Sequence, residues 1–228
     1  MTTSEFFFII DYTVNYSPNE RYRVGRTSDA KDRLIAAAME LMYTRGYHAV
    51  GVQEICVQAG VNKGSFYHFF PSKQALVLAV IETYAQDIQE VWHEAMTASA
   101  PVLDRMQQVF EATYEAHRRL VERYGHMLGC PIGNFAIELS SLDERVRQKL
   151  WETFNGWTGV IEHMLREAAA EEEWSAVELA TTAQTLIAYF EGVLLLAKTR
   201  NDPQVVQQLA RGATHLVEAA CNGRFKSS

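Results

Sequence analysis

Hydrophobic residues recur at helical spacing along most of the chain beyond residue 28. In the first of these segments the apolar residues occupy one helix face, at Leu34, Ile35, Ala38, Leu41 and Met42. Ser28 and Asp29 precede this face as N-cap residues, and Gly46 follows it as a residue suited to the left-handed conformation that ends helices. The pattern therefore predicts a helix that begins near Ser28 and ends just before Gly46.

Two short helices follow, separated by a glycine. The first carries its apolar residues on one face, at Val52, Ile55, Cys56 and Ala59. Gly60 interrupts the pattern, and Asn62 is a good N-cap for the next helix, in which Phe66 and Phe70 form the buried face. Two short helices joined by a glycine-containing turn and braced by longer neighbours predict a helix-turn-helix unit.

Longer helical patterns fill the remainder of the chain. They predict a shorter helix after Pro131 and three long helices, over about 72–96, 102–124 and 142–172. Ser141 and Ser175 each open a capping box, in which a serine is followed three residues later by glutamate. Asp202-Pro203 opens the last helix with a cap and a proline in the first turn.

Residues 1–26 form an N-terminal arm with a different pattern. Residues 5–14 are rich in strand formers, but no second strand-like segment exists to pair with them. A flexible arm, a docked or swapped segment and a start codon placed too far upstream are all compatible with this pattern. Without a paired strand, the chain is predicted to have an all-α fold of about nine helices.

Composition argues against several classes of protein. The chain has 228 residues, of which 48% are hydrophobic, a fraction too high for intrinsic disorder. No apolar run approaches the ~20 residues of a membrane-spanning helix, and no secretory signal is evident. The three cysteines, Cys56, Cys130 and Cys221, are odd in number and widely spaced, which argues against a disulfide framework or a zinc site. We expect a cytoplasmic protein without a metal ion or a membrane segment.

The net charge of −7 hides an asymmetry along the chain. Residues 21–73 carry a net charge of +4, whereas residues 74–228 carry −8. A basic segment joined to an acidic body indicates a polyanionic partner at one end of the molecule only.

The third predicted helix carries hydrogen-bond donors on the face opposite Phe66 and Phe70. These donors suit a helix that enters a major groove, and they are Lys63, Ser65, Tyr67 and His68. Gly64 allows close approach of the backbone, and Lys73 lies at the start of the following helix, where a cation and free N–H groups can hold a phosphate.

Over about residues 29–80 the chain resembles the DNA-binding domain of TetR-type repressors. The resemblance is carried by Arg33-Leu-Ile-Ala-Ala-Ala38, Arg45-Gly-Tyr47, Val52-Gln-Glu-Ile55, Ala59-Gly-Val61 and Lys63-Gly-Ser-Phe-Tyr-His-Phe-Phe-Pro-Ser-Lys73. It implies a helix-turn-helix DNA-binding domain over 27–73 and a helical effector-binding and dimerisation domain over 74–228.

The resemblance also implies which residues contact DNA. It places phosphate contacts at Tyr67 and Lys73 and base-reading positions at Lys63, Gly64, Ser65 and His68. Gln53 and Asn62 complete the expected DNA-binding set. The family often has Ser or Thr as the cap of the second helix, but this chain has Gly51, so we expect one hydroxyl-to-phosphate contact to be missing.

A second, shorter resemblance lies in the helical body. Gly129-Cys-Pro-Ile-Gly-Asn134, followed by Glu138, resembles a subgroup of these repressors that responds to small electrophiles, unsaturated acids or aromatic drugs, and whose Gly-Cys segment borders the effector pocket. Cys130 precedes Pro131 at a predicted helix start, where the helix dipole lowers the pKa of a thiol, and is a candidate electrophile sensor. The alternative is a small, inert, buried cysteine.

Seven residues are candidate effector contacts: Met106, Phe110, Tyr114, Cys130, Asn134, Trp157 and Glu191. The aromatic ones are equally compatible with an ordinary core. Glu191 lies in an otherwise apolar run, so its carboxyl should be paired, protonated or bound to a ligand. An arginine-paired acid at a surface or interface is the simpler alternative.

We therefore predict a TetR-type, ligand-responsive transcriptional repressor. Its predicted partners are a double-stranded, palindromic DNA operator and a small-molecule effector, without a cofactor or catalytic residues. Two copies would pair through the last two helices, over 175–200 and 202–220, where core and interface roles are both open for Leu186, Val193 and Leu194. The alternatives are a helical-bundle enzyme acting on an apolar small molecule, for which no catalytic constellation is found, and a helical protein-interaction module.

Overall fold

The computed structural model describes residues 28–97, 100–171 and 179–221. In these residues the chain forms nine α-helices and no strand, which confirms the predicted all-α class. The helices are α1 Ser28–Arg45, α2 Val52–Ala59, α3 Lys63–Phe69, α4 Lys73–Thr97, α5 Val102–Tyr124, α6 Pro131–Leu139, α7 Glu144–Glu171, α8 Leu179–Arg200 and α9 Gln204–Cys221. The N-terminal arm over 1–26 lies outside the described residues, as does the capping box at Ser175.

The helix ends around α2 and α3 follow the local chemistry of the sequence. Gly46 and Gly60 have φ angles of +87° and +62°, in the left-handed region that favours glycine. The side chain of Asn62 accepts a hydrogen bond of 2.8 Å from the backbone N–H of Ser65 and caps α3. The chain therefore turns sharply twice within 20 residues, as a helix-turn-helix unit requires.

The capping box predicted at Ser141 is wrong. The backbone N–H groups of Leu142 and Asp143 both bond to the carbonyl of Leu139, so the turn that ends α6 extends to residue 143. Asp143 then caps α7, because its side chain accepts a hydrogen bond of 3.0 Å from the N–H of Val146. That hydrogen bond is the main reason that the pKa of Asp143 is lowered.

One compact unit contains residues 28–86 and 131–151. Its core is built from side chains of several helices that are fully buried, among them Leu34, Ile55, Phe66, Leu76 and Ile132. Helix α1 packs against α2 and α3, and α2 packs against α3. Functional domains over 27–73 and 74–228 stay a prediction.

The other compact unit contains the described parts of 87–130 and 152–221. Helix α9 packs against both α5 and α8. The hydroxyl of Tyr189 donates to the carbonyl of Leu209 at 2.7 Å and lies where a Cβ on Gly212 would be, so any side chain at position 212 would displace the Tyr189 ring. Asn201, which ends α8 with a φ of +51°, accepts a hydrogen bond of 2.7 Å from the N–H of Met127.

Helix α8 combines a buried and an exposed apolar face. Leu186, Val193 and Leu194 are buried within the chain, so they are core residues of the monomer. Leu195 and Leu196, by contrast, are each 52% exposed. By length and composition alone α8 could also cross a bilayer, a test that core helices of globular proteins pass as well.

Candidate functional site

Helix α3 presents a polar surface to solvent. Phe66 is fully buried and Phe70 is 4% exposed, which fixes the rotation of the helix. The opposite side, here called the α3 face, is formed by four exposed residues, Lys63, Gly64, Tyr67 and His68. Gln53 on α2 and the cap Asn62 are exposed too, whereas Ser65 is half-buried. The predicted base-reading residues therefore lie on one helix and, Ser65 apart, on its exposed side.

Lys73 is held by the turn between α1 and α2. Its Nζ donates a hydrogen bond of 2.6 Å to the carbonyl of Tyr47 and lies 4.0 Å from the centre of the Tyr47 ring. Burial lowers the pKa of Lys73, while the nearby charge of Glu138 opposes that shift. The predicted phosphate contact thus also has a structural role.

Other basic residues of this unit make contacts within the protein. Arg33 pairs with Asp29 and donates from Nε to the carbonyl of Ala59 at 2.9 Å, which ties α1 to the end of α2. Arg45 pairs with Glu54 and bonds to the carbonyl of Ala49. The positive charge counted from the sequence is therefore partly neutralised locally.

A small apolar pocket lies among α5, α7, α8 and α9. It is partly open and has a volume of about 30 Å³, far smaller than an aromatic ligand requires. Phe110 and Phe190 meet edge to face in it, with ring centres 5.3 Å apart. The residues that line it are Met106, Val109, Phe110, Ile161, Met164, Leu186, Phe190 and Ala213.

Two of the seven predicted effector contacts line this pocket, namely Met106 and Phe110. Trp157 is buried beside Phe154, and Tyr114 is half-buried on α5. Asn134 belongs to the unit that contains α1–α3. Sequence periodicity marks apolar core positions but does not reveal which of them border a void, and so residues such as Met164 and Phe190 were missed.

Cys130 and Glu191 form a polar pair in the other unit. Cys130 is 8% exposed, Glu191 is half-buried, and the thiol is hydrogen-bonded to the Glu191 carboxyl. Burial raises the pKa of Glu191 from 4.5 to about 7, while the hydrogen bond with Cys130 opposes the shift. The Oε1 atom of Glu191 is buried and has no hydrogen-bond partner among the described residues. The hydrogen-bond partner found for Glu191 is thus a thiol, and the role of Glu191 as an effector contact stays a prediction.

His117 holds the residue before Cys130. Its ring nitrogens lie 2.9 Å from the carbonyl oxygen of Thr113 and 3.3 Å from that of Gly129, whose φ is +75°. Burial lowers the pKa of His117, so its imidazole is neutral near pH 7 and donates to one of the two carbonyls. The sequence offered no signal for this role, because it depends on a contact outside any motif.

The described residues contain no cluster of three or more metal-ligating side chains of the His, Cys, Asp or Glu type. The candidate site consists of the exposed α3 face in one unit and, in the other, the apolar pocket and the pair formed by Cys130 and Glu191.

Comparison with protein families gives two matches to the chain. A model described as "Bacterial regulatory proteins, tetR family" matches residues 34–80, which include α2, α3 and most of α1. A model described as "Tetracyclin repressor-like, C-terminal domain" matches residues 102–213, from the start of α5 into α9.

Individual proteins and structures agree with these matches. The chain is 31% identical to transcriptional regulator AcuR of Cereibacter sphaeroides, over 84% of this chain and 90% of that protein. It is also 31% identical to HTH-type transcriptional repressor DhaR of Mycobacterium sp. strain GP1, over 78% and 87%. A crystal structure of regulatory protein TetR from Rhodobacter sphaeroides, 31% identical, superposes with a TM-score of 0.71 over 82% of this chain and 98% of that one.

The raised pKa of Glu191 predicts a stability difference that depends on pH. Glu191→Gln replaces the carboxyl with a neutral amide of similar shape. The folded wild type keeps a proton that the unfolded chain releases, so its stability falls as pH rises from about 4.5 through about 7. Glu191→Gln lacks this loss. We expect its free energy of unfolding, measured by urea unfolding and compared with that of the wild type, to rise by about 2 kcal/mol between pH 5 and pH 8.

The matched control is Glu144→Gln, which removes an exposed carboxylate that pairs with Arg147. Its stability relative to wild type should change little over the same pH range. A constant difference between wild type and Glu191→Gln from pH 5 to pH 8 would contradict the raised pKa.

Proposed function

Since the chain belongs to the tetR family of bacterial regulatory proteins, whose members bind DNA operators and dimerise, we propose that it represses transcription until a small molecule releases it from a palindromic operator. The observation that carries the proposal is the α3 face, an exposed polar surface on a helix whose other side is buried. Such a helix fits the major groove of DNA and offers donors to base edges.

The roles that we propose on DNA follow the family resemblance, and the exposure of the α3 face supports them. Positions Lys63, Gly64, Ser65 and His68 read base edges, while Tyr67 and Lys73 hold phosphates. Gln53 and Asn62 complete the surface. Gly51 makes no side-chain cap at the start of α2, consistent with one phosphate contact fewer than a hydroxyl residue would offer.

The proposed dimer forms through α8 and α9. Along α8 one exposed face is uncharged, and it consists of Thr181, Gln184, Thr185, Ala188, Leu195 and Thr199. A Cβ added at Gly192, which lies on the same face, would meet no atom within 4 Å, so a partner helix can approach closely there. A two-fold pair then presents its α3 helices to half-sites centred ~34–36 Å apart, or a multiple of that distance.

The proposed effector binds in the unit that contains the apolar pocket. Because the pocket has a volume of only about 30 Å³, a larger apolar molecule has to displace the side chains that line it, and its binding is thereby coupled to conformation. Coupling of this kind is typically ~1–3 kcal/mol. Following the resemblance of the 129–134 segment to electrophile- and drug-responsive repressors, the effector is an electrophile or an aromatic compound that reaches Cys130.

A gel shift with DNA from upstream of the chain's own gene tests this function directly. Retardation by the purified protein, reversed by an apolar or electrophilic compound, supports the proposal. The absence of any retardation at low salt would overturn it.

Lys73→Ala tests the proposed phosphate contact. One lost contact per subunit should weaken binding to all duplexes alike, by about eight-fold for each bound subunit at 0.1 M salt, and reduce the slope of log K against log salt by ~1 per bound subunit. Fluorescence anisotropy with labelled duplexes over a salt series measures both quantities. Lys63→Ala serves as the comparison, because the loss of a base-reading residue should change the preference among DNA sequences. An unchanged salt slope in well-folded Lys73→Ala would exclude a phosphate contact at Lys73.

Leu195→Glu tests the proposed dimer. A charge on the uncharged α8 face, towards the C-terminal end of the helix, should leave the fold intact, since Leu195 is exposed, but should dissociate the dimer and weaken operator binding. Sedimentation velocity gives the mass. Leu142→Glu is the matched control, because Leu142 is 66% exposed and lies between α6 and α7; dimers of Leu195→Glu as stable as those of the control would rule out this interface.

Cys130→Ser tests whether the thiol takes part in sensing. The variant should bind the operator with wild-type affinity but require a much higher concentration of a quinone for release, because serine is a far weaker nucleophile. Mass spectrometry after mild alkylation should find Cys130 modified before Cys56, which is 1% exposed. An equal quinone response in the variant means that Cys130 is structural and the effector binds noncovalently.

A further inference from the structure

Glu138 forms two hydrogen bonds to the turn that follows α1. Its Oε2 accepts from the backbone N–H of Tyr47 at 2.9 Å, and its Oε1 accepts from the N–H of His48 at 2.8 Å. Hydrogen bonds to an ionised carboxylate are about twice as strong as those between neutral groups. A residue near the end of α6 therefore holds a turn some 90 positions earlier in the chain.

Gly46 shapes the turn that Glu138 holds. Its φ of +87° directs the chain out of α1, and a Cβ at this position would lie 3.4 Å from one Glu138 oxygen and 3.5 Å from the other, an ordinary van der Waals contact. A side chain there would be strained by the left-handed backbone conformation. The glycine is therefore required by the turn rather than by the contact with Glu138.

Tyr47 connects Glu138 to Lys73. While its N–H donates to Glu138, its carbonyl accepts from the ammonium group of Lys73, and its ring lies beneath the same ammonium group. One residue therefore ties the end of α1 to α6 on one side and to the first residue of α4 on the other. The position of Lys73 depends on that of Tyr47.

We propose that Glu138 is a positioning residue for DNA binding. By fixing the turn at Tyr47 and His48 it keeps the Tyr47 carbonyl where it orients Lys73 toward a phosphate. The carboxylate itself does not contact DNA. The inference rests on the proposed phosphate contact of Lys73.

Neutralising Glu138 has two opposite expected effects on the affinity for DNA, one from the lost charge and one from the lost hydrogen bonds to the turn. Removal of a negative charge from a DNA-binding unit should by itself strengthen binding, since DNA is a polyanion. Loss of an orienting carboxylate should weaken binding instead, and should also lower the salt slope. The direction of the change separates the two effects.

The test uses the full chain and a fluorescein-labelled 30-base-pair duplex of arbitrary sequence, because phosphate contacts act on all sequences. Glu138→Gln should bind about five-fold more weakly for each bound subunit at 0.1 M salt, with a slope smaller by up to ~1 per bound subunit. Glu144→Gln, an exposed carboxylate of the same unit, should bind equally well or more tightly. Adding Lys73→Ala to Glu138→Gln should cause less further loss than Lys73→Ala causes alone.

Two further measurements address folding. Backbone N–H resonances of Tyr47 and His48 should shift in Glu138→Gln and not in Glu144→Gln, while the circular dichroism stays unchanged. Should Glu138→Gln fold poorly, Glu138→Asp keeps the charge but withdraws the oxygens by one methylene group, and it should also bind more weakly than wild type.

The outcomes distinguish this inference from the proposed function. A wild-type chain that fails to bind duplex DNA at low salt overturns the proposed function. If the wild type binds and folded Glu138→Gln binds equally well or more tightly with an unchanged slope, only the role of Glu138 is overturned.

Discussion

The burial of Phe66 is the constraint on which the DNA-binding surface depends. Helix α3 has seven residues, and isolated helices shorter than about 12 residues are marginal in water. Burying Phe66 and Phe70 contributes about 1.5–3 kcal/mol each and anchors the helix against its neighbours. Because the aromatic side is fixed inside, the rotation that exposes Lys63, Tyr67 and His68 is fixed as well.

Local chemistry explains how much of the fold could be predicted from the sequence. Gly46, Gly60 and Asn62 act on backbone groups within a few residues, so their roles follow from residue type and spacing. The capping box predicted at Ser141 was wrong because the turn after α6 continues to residue 143, which the sequence does not indicate. Asp143 is therefore the acceptor that caps α7.

Contacts between distant segments could not be predicted in this way. The Glu138 carboxylate meets the N–H groups of Tyr47 and His48 across about 90 residues, and no spacing rule relates them. The same holds for His117 and the carbonyl of Gly129, and for the choice of Cys130 as the partner of Glu191. Among these polar residues, the sequence pattern marked only Glu191 as unusual in its surroundings, and it did not give the partner of that carboxyl.

Charge counting overstates how much of the basic segment is available to DNA. Arg33 and Arg45 are engaged by acidic side chains and backbone carbonyls of the same unit. Lys73 is different, because an ammonium group has three donors and the carbonyl of Tyr47 takes one of them. Two donors remain for a phosphate, so the structural contact orients the cation without using up its capacity to bind DNA.

Helix α6 links two polar features along the chain. It begins directly after Cys130, whose thiol bonds to Glu191, and it carries Glu138 near its end. Four of its nine residues are buried, so the core of its own unit holds the helix at both ends. Nine residues at 1.5 Å each make a helix about 13 Å long, and this length of chain separates the Gly-Cys segment from the carboxylate that holds the turn beside Lys73.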